Sequence, residues 1–131
     1  MAKILVIDDD ADICDAIRLV LTKQGHEVTT ADNRTSGKRR VEELRPALVI
    51  LDVMMEEPDD GFVLARDLRK IGFTNPILML TSIGHVTGLD FGKDEELVPV
   101  DEFQEKPVTP AKLLEKVNRL LEKGGSTNAG K

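Results

Sequence analysis

Residues 47–52 have the sequence Ala-Leu-Val-Ile-Leu-Asp, an uninterrupted apolar run that ends in a carboxylate. A second run at residues 3–7, Lys-Ile-Leu-Val-Ile, is followed in the same way by Asp8, Asp9 and Asp10. Short continuous apolar runs are typical of strands that are buried on both faces, as in a parallel sheet. The carboxyl ends of parallel neighbours lie at one edge of the sheet, where open α/β folds bind ligands. We therefore expect carboxylates from both segments to converge at that edge.

Such a convergence of carboxylates has an electrostatic cost. Two like charges about 4 Å apart repel each other by roughly 4 kcal/mol at an effective dielectric constant of about 20. Either the pKa values of the carboxyl groups rise, or a cation binds between them. Carboxylate oxygens around an open position suit Mg²⁺, which keeps several waters and pairs with phosphate. The sequence therefore favours a magnesium-assisted phosphoryl site.

The spacing of apolar residues predicts that strands and helices alternate along the rest of the chain. Residues 83–99 are glycine-rich and keep no helical period, so we expect a loop there with at most a short helix. Thr109 and Pro110 form an N-cap followed by a proline at the first helical position. The predicted strands lie at 3–7, 27–31, 47–51, 76–80 and 100–105, and the predicted helices at 11–24, 36–44, 61–72 and 110–123.

Length and composition limit the class of protein. The chain has 131 residues, enough for one domain with a single core. Its net charge of −6 opposes direct binding to nucleic acid and to anionic membranes. It has one cysteine, Cys14, and neither a signal peptide nor an apolar run long enough to span a membrane, so we expect a cytoplasmic protein without membrane insertion.

Four strand ends carry polar side chains in a consistent order: Asp8 and Asp9, then Asp52, then Thr81 and Ser82, then Lys106. In this order and spacing, the chain resembles the receiver domain of two-component response regulators, in particular the stand-alone receivers of the chemotaxis type. The resemblance implies a flavodoxin-like (βα)5 fold, with a five-stranded parallel sheet of order 2-1-3-4-5 and helices on both faces. It covers residues 1–123, and we expect residues 124–131 to form a flexible tail.

The resemblance also implies a role for each residue of the predicted site. Asp52 would be the phosphoacceptor. Asp8 and Asp9 would hold Mg²⁺ together with Asp52 and the backbone carbonyl of Met54. Phosphoryl transfer depends mostly on positioning and on neutralising charge, which gives such a metal its function.

The other residues of the predicted site would act on the phosphoryl group and on the switch. Lys106 would supply a cation to the phosphoryl oxygens, and the Thr81 hydroxyl would donate a hydrogen bond to them. Ser82 is small and would leave room for the group. Thr81 and Phe103 would form the conformational switch.

The expected function follows from these roles. The chain would accept a phosphoryl group from a sensor histidine kinase or exchange it with a histidine phosphotransfer protein. It would then change its conformation and bind a downstream protein partner, with a homodimer on phosphorylation as a further expectation. It would not be an enzyme beyond catalysing its own phosphorylation and dephosphorylation. The kinase, the partner and the pathway are not specified by one sequence, and neither is whether the chain is a complete protein or part of a longer one.

Two alternatives remain open at this stage. The first is a magnesium-dependent phosphatase of the haloacid dehalogenase type, in which Asp8 and Asp10 would form an Asp-x-Asp motif. The second is a degenerate receiver that serves only as a scaffold. The basic residues Arg34, Lys38, Arg39, Arg40 and Arg45 also allow two interpretations, a solvated helix face or a docking surface for an acidic partner.

Overall fold

The computed structural model describes residues 2–52, 60–81, 102–105 and 109–129. The strands are β1 (Lys3–Ile7), β2 (Glu27–Ala31), β3 (Leu48–Asp52), β4 (Ile77–Thr81) and β5 (Glu102–Glu105). The helices within the described ranges are α1 (Ala11–Lys23), α2 (Arg34–Leu44), α3 (Asp60–Lys70) and α4 (Pro110–Ala129). The short helix that the sequence allows between β4 and β5 lies outside the described residues.

The five strands form one parallel sheet of order β2-β1-β3-β4-β5. This confirms the predicted topology. The register places Ile7, the last residue of β1, beside Ala31 of β2 on one side and Leu51 of β3 on the other. The residues that directly follow Ile7 and Leu51 are aspartates, so the pairing of the two strands carries both carboxylates to the same edge.

Helices cover both faces of the sheet, as predicted. Alternate residues of each strand point to opposite faces, so each strand contributes side chains to two separate clusters. Leu5, Ile7, Val49 and Leu51 belong to one buried cluster, which includes side chains of α2 and α3. Ile4, Val6, Leu48 and Ile50 belong to a second cluster, which includes side chains of α1 and α4. The central strands are therefore apolar at consecutive positions because both of their faces are buried.

The helix ends follow the local chemistry of the sequence. Asp10 caps α1, and its side chain accepts hydrogen bonds from the backbone N–H groups of Asp12 and Ile13. Asn33 caps α2 in the same way, which explains why this helix begins at Arg34, two residues before the predicted start. The predicted proline start of α4 is confirmed, and the hydroxyl of Thr109 accepts a hydrogen bond from the N–H of Lys112 at 3.2 Å.

The final helix differs from the prediction. Its backbone remains helical to Ala129, whereas the sequence analysis placed a flexible tail from Gly124 onward. Adding a residue to an existing helix costs much less than starting one, so α4 extends through residues of weak helix propensity. The division into a domain at 1–123 and a tail at 124–131 stays a prediction. Among the described residues, no helix is both long and apolar enough to cross a membrane.

Candidate functional site: a carboxylate cluster at the carboxyl edge of the sheet

Asp8 is held by three hydrogen bonds at the end of β1. Its backbone N–H donates to the carbonyl of Ala31 at 3.0 Å, which extends the pairing with β2 by one residue. Its Oδ1 accepts a hydrogen bond from the N–H of Asp10 at 2.9 Å, and its carbonyl accepts one from the thiol of Cys14 at 3.3 Å. Asp8 is only 1% exposed. These contacts fix the carboxylate at the sheet edge before any ligand binds.

The three consecutive aspartates have different environments. Asp10 turns toward α1 and caps it. Asp9 is exposed, whereas Asp8 is buried. Asp8 and Asp9 are therefore the two that lie near Asp52 at the sheet edge.

Asp52 completes the cluster from β3 and is 5% exposed. One carboxylate oxygen from each of Asp8, Asp9 and Asp52 lies within 4.8 Å of the other two. Like charges at such distances repel strongly, the more so because two of the three side chains are shielded from water. Hydrogen bonds or a bound cation must therefore compensate this repulsion.

A divalent cation suits this group of side chains. All three donors are hard oxygens, and the exposure of Asp9 leaves a side of the cluster open to water. Mg²⁺ prefers such oxygen ligands and keeps several of its waters. The residues present therefore fit a magnesium ion.

Thr81 lies at the end of the neighbouring strand β4 and is fully buried. Asp52 of β3 pairs with Leu80 of β4, and Thr81 is the next residue along β4. Thr81 itself pairs with Glu105 of β5, the residue that directly precedes Lys106 in the sequence. The hydroxyl of Thr81 and the Asp52 carboxylate thus come from adjacent positions of adjacent strands.

Three of the predicted site residues, Met54, Ser82 and Lys106, lie outside the described residues. The backbone of Phe103 belongs to β5 and pairs with Met79. Its side chain lies outside the described part of the structure. The structure thus brings Asp8, Asp9 and Asp52 together, with Thr81 at the same sheet edge, and the remaining roles stay predictions.

The sequence analysis missed a cavity of about 410 Å³ beside Asp8 and Asp9. It lies between α1, β2 and α2, and its wall includes Cys14, Ser36 and Arg40. The residues that line this cavity come from two segments, residues 8–15 and 30–40. The pairing of β1 with β2 brings these segments together, so no local sequence pattern predicts the cavity. The hydrogen bond from the Cys14 thiol to Asp8 was also not predicted.

Comparison with known proteins gives the family. The family model of the response regulator receiver domain matches residues 4–118, and the chain belongs to this family. Receiver domains are signalling domains rather than classical enzymes, and phosphorylation on an aspartate is their general role. They interact with histidine kinases and effector partners, and they bind Mg²⁺ at an acidic pocket.

Curated relatives are transcriptional regulators. The probable transcriptional regulator ycf27 of Porphyra purpurea is 37% identical over 98% of this chain and 51% of its own length. The alkaline phosphatase synthesis transcriptional regulatory protein PhoP of Bacillus subtilis is 32% identical over 91% of this chain and 48% of its own. The chain thus spans about half the length of these relatives. The expectation of no direct contact with nucleic acid concerns the receiver domain alone and stays a prediction.

Solved structures agree with the fold. A response regulator receiver domain protein from Clostridium thermocellum has a TM-score of 0.85 and 30% identity, and the match covers 97% of this chain and 99% of that one. The receiver domain of NtrX from Brucella abortus has a TM-score of 0.78 and 29% identity, with 91% and 98% covered. The phosphatase alternative loses its support, because Asp10 caps α1 and the family match identifies a receiver domain.

Proposed function

We propose that this receiver accepts a phosphoryl group on Asp52 from a sensor histidine kinase or a histidine phosphotransfer protein. The observation that carries the proposal is the cluster of Asp8, Asp9 and Asp52, with three carboxylate oxygens within 4.8 Å of one another. The Asp52 carboxylate is the nucleophile, because it lies at the end of the central strand β3 with Thr81 on the adjacent strand. Asp8 and Asp9 are metal ligands in this proposal.

Asp8, Asp9 and Asp52 hold Mg²⁺ in this proposal, with the backbone carbonyl of Met54 as a further ligand. The bound ion neutralises charge on the phosphoryl oxygens, which is the main requirement of phosphoryl transfer. The hydrogen bonds from Asp10 and Cys14 keep Asp8 in position, so little reorganisation is needed when the ion binds. Asp9 is the exposed ligand and the one that incoming solvent or substrate meets first.

Lys106, Thr81 and Ser82 act on the phosphoryl group from the other side. The pairing of Thr81 with Glu105 supports this, since Lys106 is the next residue after Glu105. The lysine ammonium provides the second positive charge, the threonine hydroxyl donates a hydrogen bond, and the small serine leaves space. Transfer then moves one phosphoryl group onto a carboxylate oxygen of Asp52, and the bond from phosphorus to the donor's histidine nitrogen breaks.

Phosphorylation is transmitted through Thr81 and Phe103. In β5, Phe103 pairs with Met79, two residues before the position at which Glu105 pairs with Thr81. Movement of the threonine toward the phosphoryl group frees space for the aromatic ring, and the change in surface alters the binding of a downstream protein or of a second copy of the chain. The chain's own catalysis is limited to the formation and loss of the phosphoryl group on Asp52. We assign this signalling to the cytoplasm.

Intact-mass analysis after incubation with acetyl phosphate tests the proposal. We expect one phosphoryl adduct on the wild-type chain in the presence of Mg²⁺, and none after chelation of the metal. Asp52→Asn should give no adduct, whereas Asp15→Asn, which changes an exposed carboxylate next to the cluster, should be modified like the wild type. Absence of an adduct under all conditions would overturn the proposal and favour the scaffold alternative.

A further inference from the structure

Positive charge is concentrated on one helix of an otherwise acidic protein. Between residues 34 and 45 the sequence contains five arginines and lysines and two glutamates, whereas the whole chain carries a net charge of −6. This segment comprises α2 and its C-cap residue Arg45. The net charge of the remaining residues is therefore more negative than −6. The net charge of α2 with Arg45 is positive.

Most of this charge is not neutralised by neighbouring carboxylates. Within the described residues, Lys38, Arg39 and Arg45 take part in no ion pair. Arg40 forms one with Glu43 at 3.7 Å, in which both side chains are about half exposed, 50% and 54%. Solvent-exposed ion pairs of this kind contribute little to stability. The surface of α2 thus keeps most of its positive charge available for a partner.

The charges lie along a groove between α2 and α3. One cavity of about 410 Å³ is lined by Arg34, Thr35, Lys38, Arg39 and Glu42 of α2 and by Asp67 of α3. A second cavity of about 140 Å³ is lined by Val41, Glu42, Arg45, Ile71 and Phe73. The two cavities share Glu42, and together we call them the α2–α3 groove.

The two ends of the α2–α3 groove have different chemistry. The end near Lys38 and Arg39 carries three basic and two acidic side chains. The other end carries three apolar side chains beside Glu42 and Arg45. Ile71 at this second end is 37% exposed, and it is one of two exposed large apolar side chains in the part of the chain that the structure describes. The α2 helix has 11 residues and is therefore about 16.5 Å long, which corresponds to roughly five residues of an extended peptide.

We propose that the α2–α3 groove docks a short acidic segment of a partner protein, in which an apolar residue next to the acidic ones contacts Ile71. Carboxylates of the segment pair with Lys38 and Arg39, and the apolar side chain covers the exposed part of Ile71. A nucleic acid fits less well, because its long polyanionic backbone extends beyond the groove and meets the acidic remainder of the surface. The proposal does not depend on phosphorylation of Asp52.

Binding of a labelled peptide to the full chain tests the docking proposal. The probe is a fluorescent peptide of four glutamates followed by two leucines, measured by anisotropy at low ionic strength. The groove variant is Lys38→Gln with Arg39→Gln, and the matched control is Lys3→Gln with Lys23→Gln, which removes the same charge from exposed positions elsewhere. Thermal unfolding of both variants verifies that they are folded.

We expect saturable binding that is weakened about fivefold or more by the groove variant and less than about twofold by the control variant. Ile71→Ser should weaken binding of this probe but not of a probe in which alanines replace the leucines. Three outcomes would overturn the proposal: no saturable binding, equal weakening by both double variants, or tighter binding of an oligodeoxynucleotide of equal charge. Self-association of the chain that the groove variant abolishes would also overturn it, in favour of a second copy as the occupant.

Discussion

The thiol of Cys14 donates a hydrogen bond to the backbone carbonyl oxygen of Asp8, with a distance of 3.3 Å between sulfur and oxygen. The bond connects the first turn of α1 to the residue that directly follows β1. Burial of Cys14, together with the negative charge of Asp8, raises the pKa of the thiol to about 11. The thiol therefore stays protonated and remains a donor throughout the physiological pH range.

The raised pKa predicts that Cys14 is unreactive in the folded chain. At pH 8 only about one thiol in a thousand is ionised, and the thiolate is the species that reacts with iodoacetamide. We expect alkylation at least about 100-fold slower in the native state than in guanidinium chloride. Cys14 is the single cysteine, so intact mass reports on it directly. Similar rates in the two states would contradict the assigned environment.

The carboxylate cluster predicts that magnesium stabilises the fold. At a concentration tenfold above its Kd, a bound ion adds about 1.4 kcal/mol, or a rise of roughly 5 °C in Tm for a domain of this size. Asp52→Asn should abolish this response. It should also raise the stability of the metal-free protein, because one of three repelling charges is removed.

The control for the magnesium response is Asp15→Asn, which leaves all three members of the cluster intact. Sodium chloride at matched ionic strength separates specific binding from general screening. A magnesium response of equal size in Asp52→Asn would show that the ion binds outside the cluster.

A side chain introduced at Gly37 is expected to conflict with the packing next to the site. A Cβ atom added to Gly37 would lie 2.8 Å from Cδ1 and 3.1 Å from Cγ2 of Ile7, a fully buried side chain. Gly37→Ala gains about 1 kcal/mol in helix propensity, but overpacking costs about 1–3 kcal/mol, so we expect a net loss of about 1 kcal/mol. Chemical denaturation measures the difference.

A double-mutant cycle with Ile7→Val isolates this contact, because valine lacks the Cδ1 atom. We expect the loss caused by Gly37→Ala to be smaller in the Ile7→Val background than in the wild type. Losses that add within about 0.3 kcal/mol would show that the two residues do not conflict.

Because of His26, we expect the folded protein to lose stability at mildly acidic pH. The His26 side chain is half-buried, and its Nδ1 accepts a hydrogen bond from the N–H of Ala2 at 3.1 Å. Burial lowers the pKa of His26 in the folded state. The neutral imidazole therefore contributes stability above the unfolded pKa, and this contribution is lost as the pH falls through the lower, folded pKa.

The comparison for His26 is His26→Asn, whose amide oxygen can accept the same hydrogen bond at every pH. Between pH 7 and pH 5 the unfolding free energy should fall more steeply for the wild type than for His26→Asn. His85 is common to both proteins, so its titration cancels in the difference. Parallel pH profiles would refute the assignment.

Much of the fold could be predicted because its strands are buried on both faces. The apolar runs before Asp8 and Asp52 identified the central strands, and the aspartates after those runs identified the site. The order of the strands came from the resemblance to the receiver family, since apolar runs alone do not specify which strands are neighbours.

Other features depend on packing that no local pattern encodes. The half-burial of His26 and the cavity beside Arg40 arise where segments distant in sequence meet. The contact of Cys14 with Asp8 arises where the first turn of α1 folds back on the residue that follows β1. The continuation of α4 to Ala129 was also not predicted, because helix propensity alone does not define the point at which a packed helix ends.

The residue that carries the phosphoryl group can be identified by chemical reduction. The chain is phosphorylated with acetyl phosphate and Mg²⁺, the acyl phosphate is reduced with borohydride, and the reduced aspartate is identified by peptide mass spectrometry. We predict reduction at position 52 and at no other acidic residue. Reduction at Asp8 or Asp9 with position 52 unchanged would contradict the assignment of Asp52 as phosphoacceptor.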